Sequence, residues 1–439
     1  MTKVVVFEFD GATWSVIEPL LTAGELPNLS HLIATGAHGV LRSISPMNSP
    51  ALWTSIYTGK TRDKHGVYGF EATSKTVRVK RLWDIAHDAD LACGLFGSLV
   101  TWPPTASCSF QIPDIIMARG PETVPPEYSH LQDMYWNRRQ HRLAYLSDFA
   151  SMWRMGVRLQ RLLRIGGERL VTAATRRSQL DVTWRQKLWW EGIRADVFLK
   201  LYRRYQPDLA TFHYHAADTV QHGYWHYYSP QAFGVSSSEV QRYRQVIPTA
   251  YREADRIIGD LRRTLDPNTT LLVVSDHGAS AETDAAQLFE ARLEEWTAIL
   301  GLRDIAIPMD ITGAHCLYFL DRSYTAPTQR LLEEARDKRN GHKLFVGFVQ
   351  RDGHLMFFPT REPIGDTVII PNHGEYPFDQ LCRRAVTRHS AEHHPEGIFI
   401  VAGPSIRRGI QLGAGSILDV APNLLALLGL PIARDMDGR

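Results

Sequence analysis

Only four cysteines occur in 439 residues, at Cys93, Cys108, Cys316 and Cys382, and no two are spaced as Cys-x-x-Cys. That spacing excludes a disulfide framework and a cysteine-rich zinc site, and free thiols suit a reducing compartment. Long apolar runs are missing too: no stretch approaches the ~18 consecutive apolar residues that a membrane span needs. Nor is there an excess of one charge. The 49 Lys and Arg against 47 Asp and Glu leave +2, so the overall balance points neither to nucleic acid nor to an anionic membrane. The first residues enter a strand-like run at Val4, and Glu8 and Asp10 interrupt it where a secretory signal needs an uncharged core. The expected location is the cytoplasm. Internal repeats and low-complexity tracts are absent, which excludes solenoids and disordered arrays.

What is present describes a globular chain. A 44% hydrophobic, 22% charged composition can bury a sizeable core. The length is about three times the ~150 residues of an average domain, so one large domain with insertions or two domains fit equally. Strand-like apolar runs at Val4 to Phe9, Leu209 to His213, Thr270 to Ser275 and Gly397 to Val401 are separated by helix-like segments. Strands alternating with helices predict a mainly parallel, doubly wound α/β sheet covered by helices on both faces.

The middle of the chain differs. Residues 130–205 hold 16 Lys or Arg against 6 Asp or Glu, a local +10 that leaves −8 elsewhere. Met152, Met155, Leu159 and Leu162 fall on one helical face, with Arg154, Arg158, Arg161 and Arg164 on another, so amphipathic helices are expected. This segment is read as a basic helical insertion, either a solvated cap or a surface that touches an anionic substrate or lipid headgroups. Residues 300–390, with short strand and turn signals, are read as a second insertion.

The chemistry gathers where strands end. Asp10 follows the first run, Asp218 comes soon after the second, and Asp276-His277 follows the third. In open α/β sheets ligands bind outside the carboxyl ends of the strands, so these residues should converge. Asp218 and His222, four apart, share one helical face and can hold one ion. His393, just before a strand, adds another imidazole. Ser49-Pro50, ahead of an apolar helix, has the pattern of a helix cap. It equally suits a nucleophile, because a helix amino terminus offers free N–H groups and positive dipole to a phosphoryl group. Ser45-Pro46 has the same local chemistry, and Thr54 lies within the expected helix.

Several motifs occur together and in order: Phe9-Asp10-Gly11, Gly24-Glu25-Leu26-Pro27-Asn28-Leu29, Ser49-Pro50-Ala51-Leu52-Trp53-Thr54, His65-Gly66, Asp218 to His222, Ser275-Asp276-His277-Gly278, and His393-His394-Pro395-Glu396-Gly397. In these the chain resembles the alkaline phosphatase superfamily, and within it the type I phosphodiesterase and nucleotide pyrophosphatase branch. The resemblance implies an alkaline-phosphatase-like three-layer sandwich over residues 1–439 as a single catalytic domain. It also implies two Zn2+ ions, with Mn2+ or other divalent ions as substitutes. Asp218, His222 and His393 would hold one ion; Asp10, Asp276 and His277 would hold the other, with Ser49 between them. The His-x-Pro-x-Gly spacing selects His393 over His394. The implied reaction is phosphodiester hydrolysis by a metal-activated Ser49 through a phosphoseryl intermediate, on a small-molecule, glycan or lipid phosphate ester.

Alternatives within the superfamily are a phosphomonoesterase, a phospho-group transferase and a sulfatase. The sulfatase pattern requires Cys or Ser followed by x-Pro-x-Arg, whereas here Pro50 comes one place early and Trp53 stands where Arg belongs. From another class, a non-catalytic zinc-stabilised binding module would need none of the nucleophile chemistry. Nucleotide-processing relatives carry an Asn shortly after His-Gly; Val67-Tyr68-Gly69-Phe70 departs from that pattern.

Overall fold

A computed structural model describes residues 2–105, 107–139, 146–175, 179–282, 289–311, 314–351, 354–360, 362–384 and 390–439. Its centre is the strand Lys3–Phe9 (β1), whose residues Val4 to Phe9 are all buried. Around it lie Ala37–Arg42 (β2), Cys93–Phe96 (β3), Phe110–Ile112 (β4), Leu209–Tyr214 (β5) and Thr269–Val274 (β6). Later in the chain come Gly278–Ala281 (β7), Ala391–His394 (β8), Glu396–Ala402 (β9), Ile410–Gln411 (β10) and Gly415–Ser416 (β11).

Among the described residues, nine strands make one sheet in the order β10-β2-β9-β6-β1-β5-β3-β4, with β11 also on β2. The strands β6, β1, β5, β3 and β4 run parallel, whereas β9 is antiparallel to both neighbours, β6 and β2. The expected doubly wound α/β architecture is therefore present, and its sheet is mostly parallel.

Alternation along β1 divides the core between two helical layers. Val5, Phe7 and Phe9 pack with the helices Gln179–Tyr205, Ala216–Tyr228 and Val246–Thr264, through residues such as Phe198, Val220 and Tyr251. Val4 and Val6 face the other layer, where Leu52, Trp53 and Ile56 of Ser49–Thr58 (α1) and Leu424 of Val420–Leu427 are buried. Glu8 and Asp10 continue this second face, so two carboxylates enter the interior between sheet and α1.

The basic segment forms the helices Ser129–Arg139, Leu146–Arg154, Leu159–Thr175 and Gln179–Tyr205. Met152, Met155 and Leu162 are buried as their periodicity suggests, but Leu159 is 61% exposed. The reason is a break at Gly156, whose φ of +104° turns the chain between two helices where the pattern suggested one continuous face. Much of the local positive charge is internally paired. Arg158 and Arg161 converge on the buried Asp196 at 2.7 and 2.9 Å, and reach Asp260 and Glu253 of the helix Val246–Thr264 at 2.6 and 3.2 Å. No described helix is long and apolar enough to cross a membrane.

Residues 289–384 carry their own apolar cluster, built around Trp296, Leu317, Phe345 and Phe357. It includes a four-stranded antiparallel sheet of Phe345–Arg351, His354–Pro359, Ala314–Phe319 and Ala306–Ile311. His315 is buried there against Phe345 and Phe357, and its Nε2 accepts the Ala291 N–H at 3.3 Å. Burial pushes this imidazole down to about 4. A folded-state value below the unfolded ~6.5 means that the contribution is complete above pH ~6.5 and is lost as pH falls through about 4; linkage sets its size at up to about 3 kcal/mol. The denaturant midpoint should therefore fall between pH 7 and pH 4.5, with a shallower fall in His315→Gln. Equal slopes in the two proteins would remove His315 as a cause.

Candidate metal centre

Every site residue expected from the sequence lies at one edge of the sheet. Asp10 is the residue after β1, His215 the residue after β5, and Asp276 and His277 follow β6. Because β9 runs antiparallel, its amino end lies at the carboxyl edge of its parallel neighbours. The antiparallel pair of β8 and β7, which sets His393 opposite Ala279, therefore delivers His393 to the same place. Asp218 and His222 project together from the first turns of the helix Ala216–Tyr228, with Asp218 Oδ1 3.2 Å from His222 Nε2.

Two glycines make these approaches possible. Gly11 has φ +66°, and a Cβ there would lie 3.1 Å from both Asp218 Cβ and Asp218 Oδ1. Gly278 is required because a Cβ would come within 2.2 Å of the Glu396 carbonyl, so only glycine lets β7 lie against β9. The turn at Gly11 is braced by Gln221, which donates to the Gly11 carbonyl at 2.9 Å and accepts from Tyr251 Oη at 2.8 Å.

The donor atoms fall into two sets. In the first, His222 Nε2 lies 3.2 Å from His393 Nε2, and His393 Nε2 lies 3.7 Å from Asp218 Oδ1. In the second, His277 Nε2 lies 3.7 Å from Asp10 Oδ1 and 3.5 Å from Asp276 Oδ2. A tetrahedral ion with donors at 2.0–2.1 Å spaces them by about 3.4 Å. The sets adjoin, since the rings of His277 and His393 stack with centroids 3.6 Å apart.

Each of these imidazoles is oriented by its other nitrogen. His222 Nδ1 donates to the Ala391 carbonyl at 2.8 Å, His277 Nδ1 to that of Gly278 at 2.8 Å, and His393 Nδ1 to that of Met47 at 3.1 Å. Each Nε2 lone pair then points inward, which is how ligand histidines are held. Asp10 Oδ1 and Asp276 Oδ2 are buried with no hydrogen-bond partner. Unpaired buried carboxylate oxygens are costly unless a cation joins them, so the residues present fit divalent ions.

The electrostatics agree. Burial, reinforced by the neighbouring Asp10, pushes Asp276 well above the usual carboxylate range. Burial also opposes ionisation of Asp10, but the imidazoles of His213 and His215 outweigh it and hold Asp10 well below that range. His393 is pushed down to about 3 by burial and by His277. Against the same penalty of burial, Asp218 holds His222 up at about 8. Carboxylates crowded in this way need positive charge beside them.

Ser49 is buried and its Oγ lies 3.3 Å from His277 Nε2, facing the second set. It is the first residue of α1, with Asn48 in the capping position, one place later than the sequence pattern suggests. The other hydroxyls lie elsewhere: Ser45 is exposed, and Thr54 Oγ1 donates to the Pro50 carbonyl at 2.7 Å. His394 is also turned away, accepting the Glu396 N–H at 3.2 Å. Lys60 pairs with Asp435 at 2.5 Å, and Arg62 donates to the Pro46 carbonyl at 2.7 Å, so neither serves the centre.

Three residues at the centre have no counterpart among those expected. Glu8, His213 and His215 lie beside or below Asp10, His213 Nδ1 being 3.0 Å from Glu8 Oε2. A signal was available. Polar residues recur at alternate positions in Glu8-Phe9-Asp10 and in His213-Tyr214-His215, and β1 and β5 pair in register at Glu8 and His213.

A mostly parallel sheet covered by helices, with carboxylates and imidazoles gathered at its carboxyl edge, has the alkaline-phosphatase-like fold. The family model described as type I phosphodiesterase/nucleotide pyrophosphatase matches residues 4–375, and the chain belongs to that family of metal-dependent enzymes. It is thus a phosphoric ester hydrolase. Among solved structures, murine ectonucleotide pyrophosphatase/phosphodiesterase 5 matches with a TM-score of 0.50 at 12% identity, over 100% of this chain and 97% of that one. An inactive variant of the same murine enzyme, in complex with AMP, matches with a TM-score of 0.50 at 12% identity, over 100% and 98%. These likenesses concern the fold. No curated protein matches the sequence.

Proposed function

We propose that the protein is a divalent-metal-dependent phosphodiesterase that uses Ser49 as its nucleophile. The observation that carries this reading is the buried Ser49 Oγ, 3.3 Å from the nitrogen that His277 turns towards Asp10 and Asp276. Asp218, His222 and His393 would hold one ion, and Asp10, Asp276 and His277 the other. Zn2+ suits three imidazoles and three carboxylates, with Mn2+ as a substitute. Bound there, such ions would lower the pKa of a neighbouring hydroxyl and neutralise charge that develops on phosphoryl oxygens.

The remaining steps belong to the chain. The first turn of α1 has N–H groups without intrahelical partners, and together with the positive end of its dipole these orient a phosphoryl group over Ser49. Ser49 Oγ, its proton lost to solvent, attacks phosphorus and one ester oxygen leaves and is protonated to the alcohol; water later cleaves the bond from phosphorus to Ser49 Oγ, which regains its proton, and releases the phosphate monoester. The hydrogen bonds from His222, His277 and His393 to backbone carbonyls keep the imidazoles fixed throughout, so little reorganisation accompanies the charge movement. The helices of residues 130–205 and the antiparallel unit within 300–390 are proposed as insertions that shape access for the substrate.

A panel of bis-p-nitrophenyl phosphate, p-nitrophenyl phosphate and p-nitrophenyl sulfate, each with and without added Zn2+ or Mn2+, tests the assignment. The diester is expected to turn over fastest and only with metal. Sulfate turnover without any on phosphate esters would overturn it.

A further inference from the structure

The turn at Gly156 in the basic segment carries exposed apolar side chains on both of its arms. Trp153, before the turn, is 66% exposed; Leu159 and Leu163, after it, are 61% and 67% exposed. Among the described residues, Leu320 is the only other large apolar side chain exposed beyond 60%. The inward positions are already filled by Met152, Met155, Val157, Leu162 and Ile165, so the outward ones have nothing of this domain left to cover. Side chains this open on either side of a sharp turn stand on a protrusion. A cluster of that kind marks a docking surface, and a convex one suits a flat, deformable partner.

Charge identifies that partner. Residues 153–164 contain four arginines and no acidic residue. Arg158 and Arg161 turn inward to Asp196, whereas Arg154 is exposed with no ion pair among the described residues, and Arg164 reaches Glu168 on its own helix at 3.1 Å. Beside the turn, where Lys200 packs on Gly156, lies a groove of about 240 Å³ lined by Arg158, Arg203, Arg263, Asp196 and Asp260. Its formal balance is 3 − 2 = +1. The Arg203 guanidinium donates to Thr264 Oγ1 at 3.0 Å, and no described carboxylate pairs with it. Guanidinium groups bind phosphate through paired N–H donors, so the groove can seat a phosphate ester.

We propose that this turn docks the protein on an anionic lipid bilayer, with Trp153, Leu159 and Leu163 entering the boundary between headgroups and acyl chains and Arg154, Arg164 and Arg203 lying on lipid phosphates. Tryptophan and leucine interleaved with arginine is the composition of interfacial helices, and each exposed cation adds attraction to an anionic surface. The placement has a functional consequence. Arg203 and Thr264 lie in the last turns of the helices Gln179–Tyr205 and Val246–Thr264, which lead into β5 and β6, so the groove sits by the amino ends of the strands. Asp10, His215 and Asp276 lie at the carboxyl ends. Docking therefore leaves the candidate metal centre facing water, which selects soluble phosphate esters over lipids of the same membrane. That consequence rests on the catalytic reading above; the docking itself does not.

Co-sedimentation with vesicles tests the proposal. Full-length, metal-loaded protein is mixed with vesicles of phosphatidylcholine alone or of phosphatidylcholine and phosphatidylglycerol in equal parts. The wild type is expected to bind the anionic vesicles at least about tenfold more tightly than the neutral ones. The triple variant Trp153→Ser, Leu159→Ser, Leu163→Ser should lose at least about tenfold on the anionic vesicles, and the double variant Arg154→Gln, Arg203→Gln should lose the preference between the two. All five side chains are exposed, and melting temperatures keep misfolding apart from lost docking; Trp153→Ser alone repeats the measurement should the triple variant melt early. No binding of the wild type to either vesicle, or equal binding by the wild type and the serine variant, would overturn the proposal. So would a wild-type dimer in sedimentation velocity that the serine substitutions dissolve, because a second copy would then cover the patch. Turnover of bis-p-nitrophenyl phosphate should persist in the vesicle-bound fraction, and its abolition by vesicles would overturn the orientation. Inactivity of the free protein would overturn the catalytic reading alone and leave the docking standing.

Discussion

Ser49→Ala is expected to lower kcat on bis-p-nitrophenyl phosphate by about 10³-fold or more while metal content stays at the wild-type value. The hydroxyl is the only part of the side chain removed, and it is the part 3.3 Å from His277 Nε2. The helix should tolerate the change. Asn48, not Ser49, holds the capping position, and alanine is the best helix former for a residue already inside the first turn. Ser49→Thr should retain turnover to within about tenfold, because the same nucleophilic oxygen is present and only a methyl group is added. Rates and elemental analysis on the same preparations separate the outcomes. Unchanged turnover in Ser49→Ala at full metal occupancy would move the nucleophile elsewhere.

Removal of the divalent ions should have an effect as large on activity, and one on stability as well. Turnover is expected to fall to background on exhaustive chelation and to return with Zn2+ or Mn2+. The folded state should also lose about 4 kcal/mol if free ion had been present at about a thousand times its Kd. The structure explains why the loss is felt by the whole domain. With no ion, Asp10 and Asp276 compete for the little positive charge nearby, and burial with repulsion forces Asp276 towards its protonated form. Those residues end β1 and precede β7, so the strain sits at the middle of the sheet. Thermal melts with and without chelator measure it. Full activity in protein shown to be free of metal would sink the metal-dependent reading.

The parts of the centre that could be seen in the sequence are those that interrupt a pattern. Asp10, Asp276 and His277 stop apolar runs, Asp218 and His222 keep a helical spacing, and His393 precedes a strand; each stands out against its neighbours. Glu8, His213 and His215 were hidden by the opposite circumstance. Glu8 and His213 lie within strands, where a single polar residue looks like one step of an ordinary alternation, and only the parallel register of β1 on β5 reveals that they face each other. That register is a tertiary fact. The helical break at Gly156 was hidden likewise, since residues on both sides keep the same apolar period. The antiparallel unit around Phe345 was indistinct because its strands carry no common alternation, being buried by one another and by the helix Leu293–Ile299.

The antiparallel placement of β9 bears on the order in which the protein is made. Asp10 leaves the ribosome early, but the strand bearing His393 follows almost four hundred residues later, and the strand that must slide between β6 and β2 follows that. At ordinary rates of synthesis the interval is on the order of tens of seconds. In its last part, after β6 has been made, the edge of β6 that β9 will cover has no partner, and the set of Asp218 and His222 lacks its third donor. The nascent chain can therefore assemble the donors of Asp10, Asp276 and His277 well before those completed by His393, so the two halves of the centre would acquire their ions in sequence.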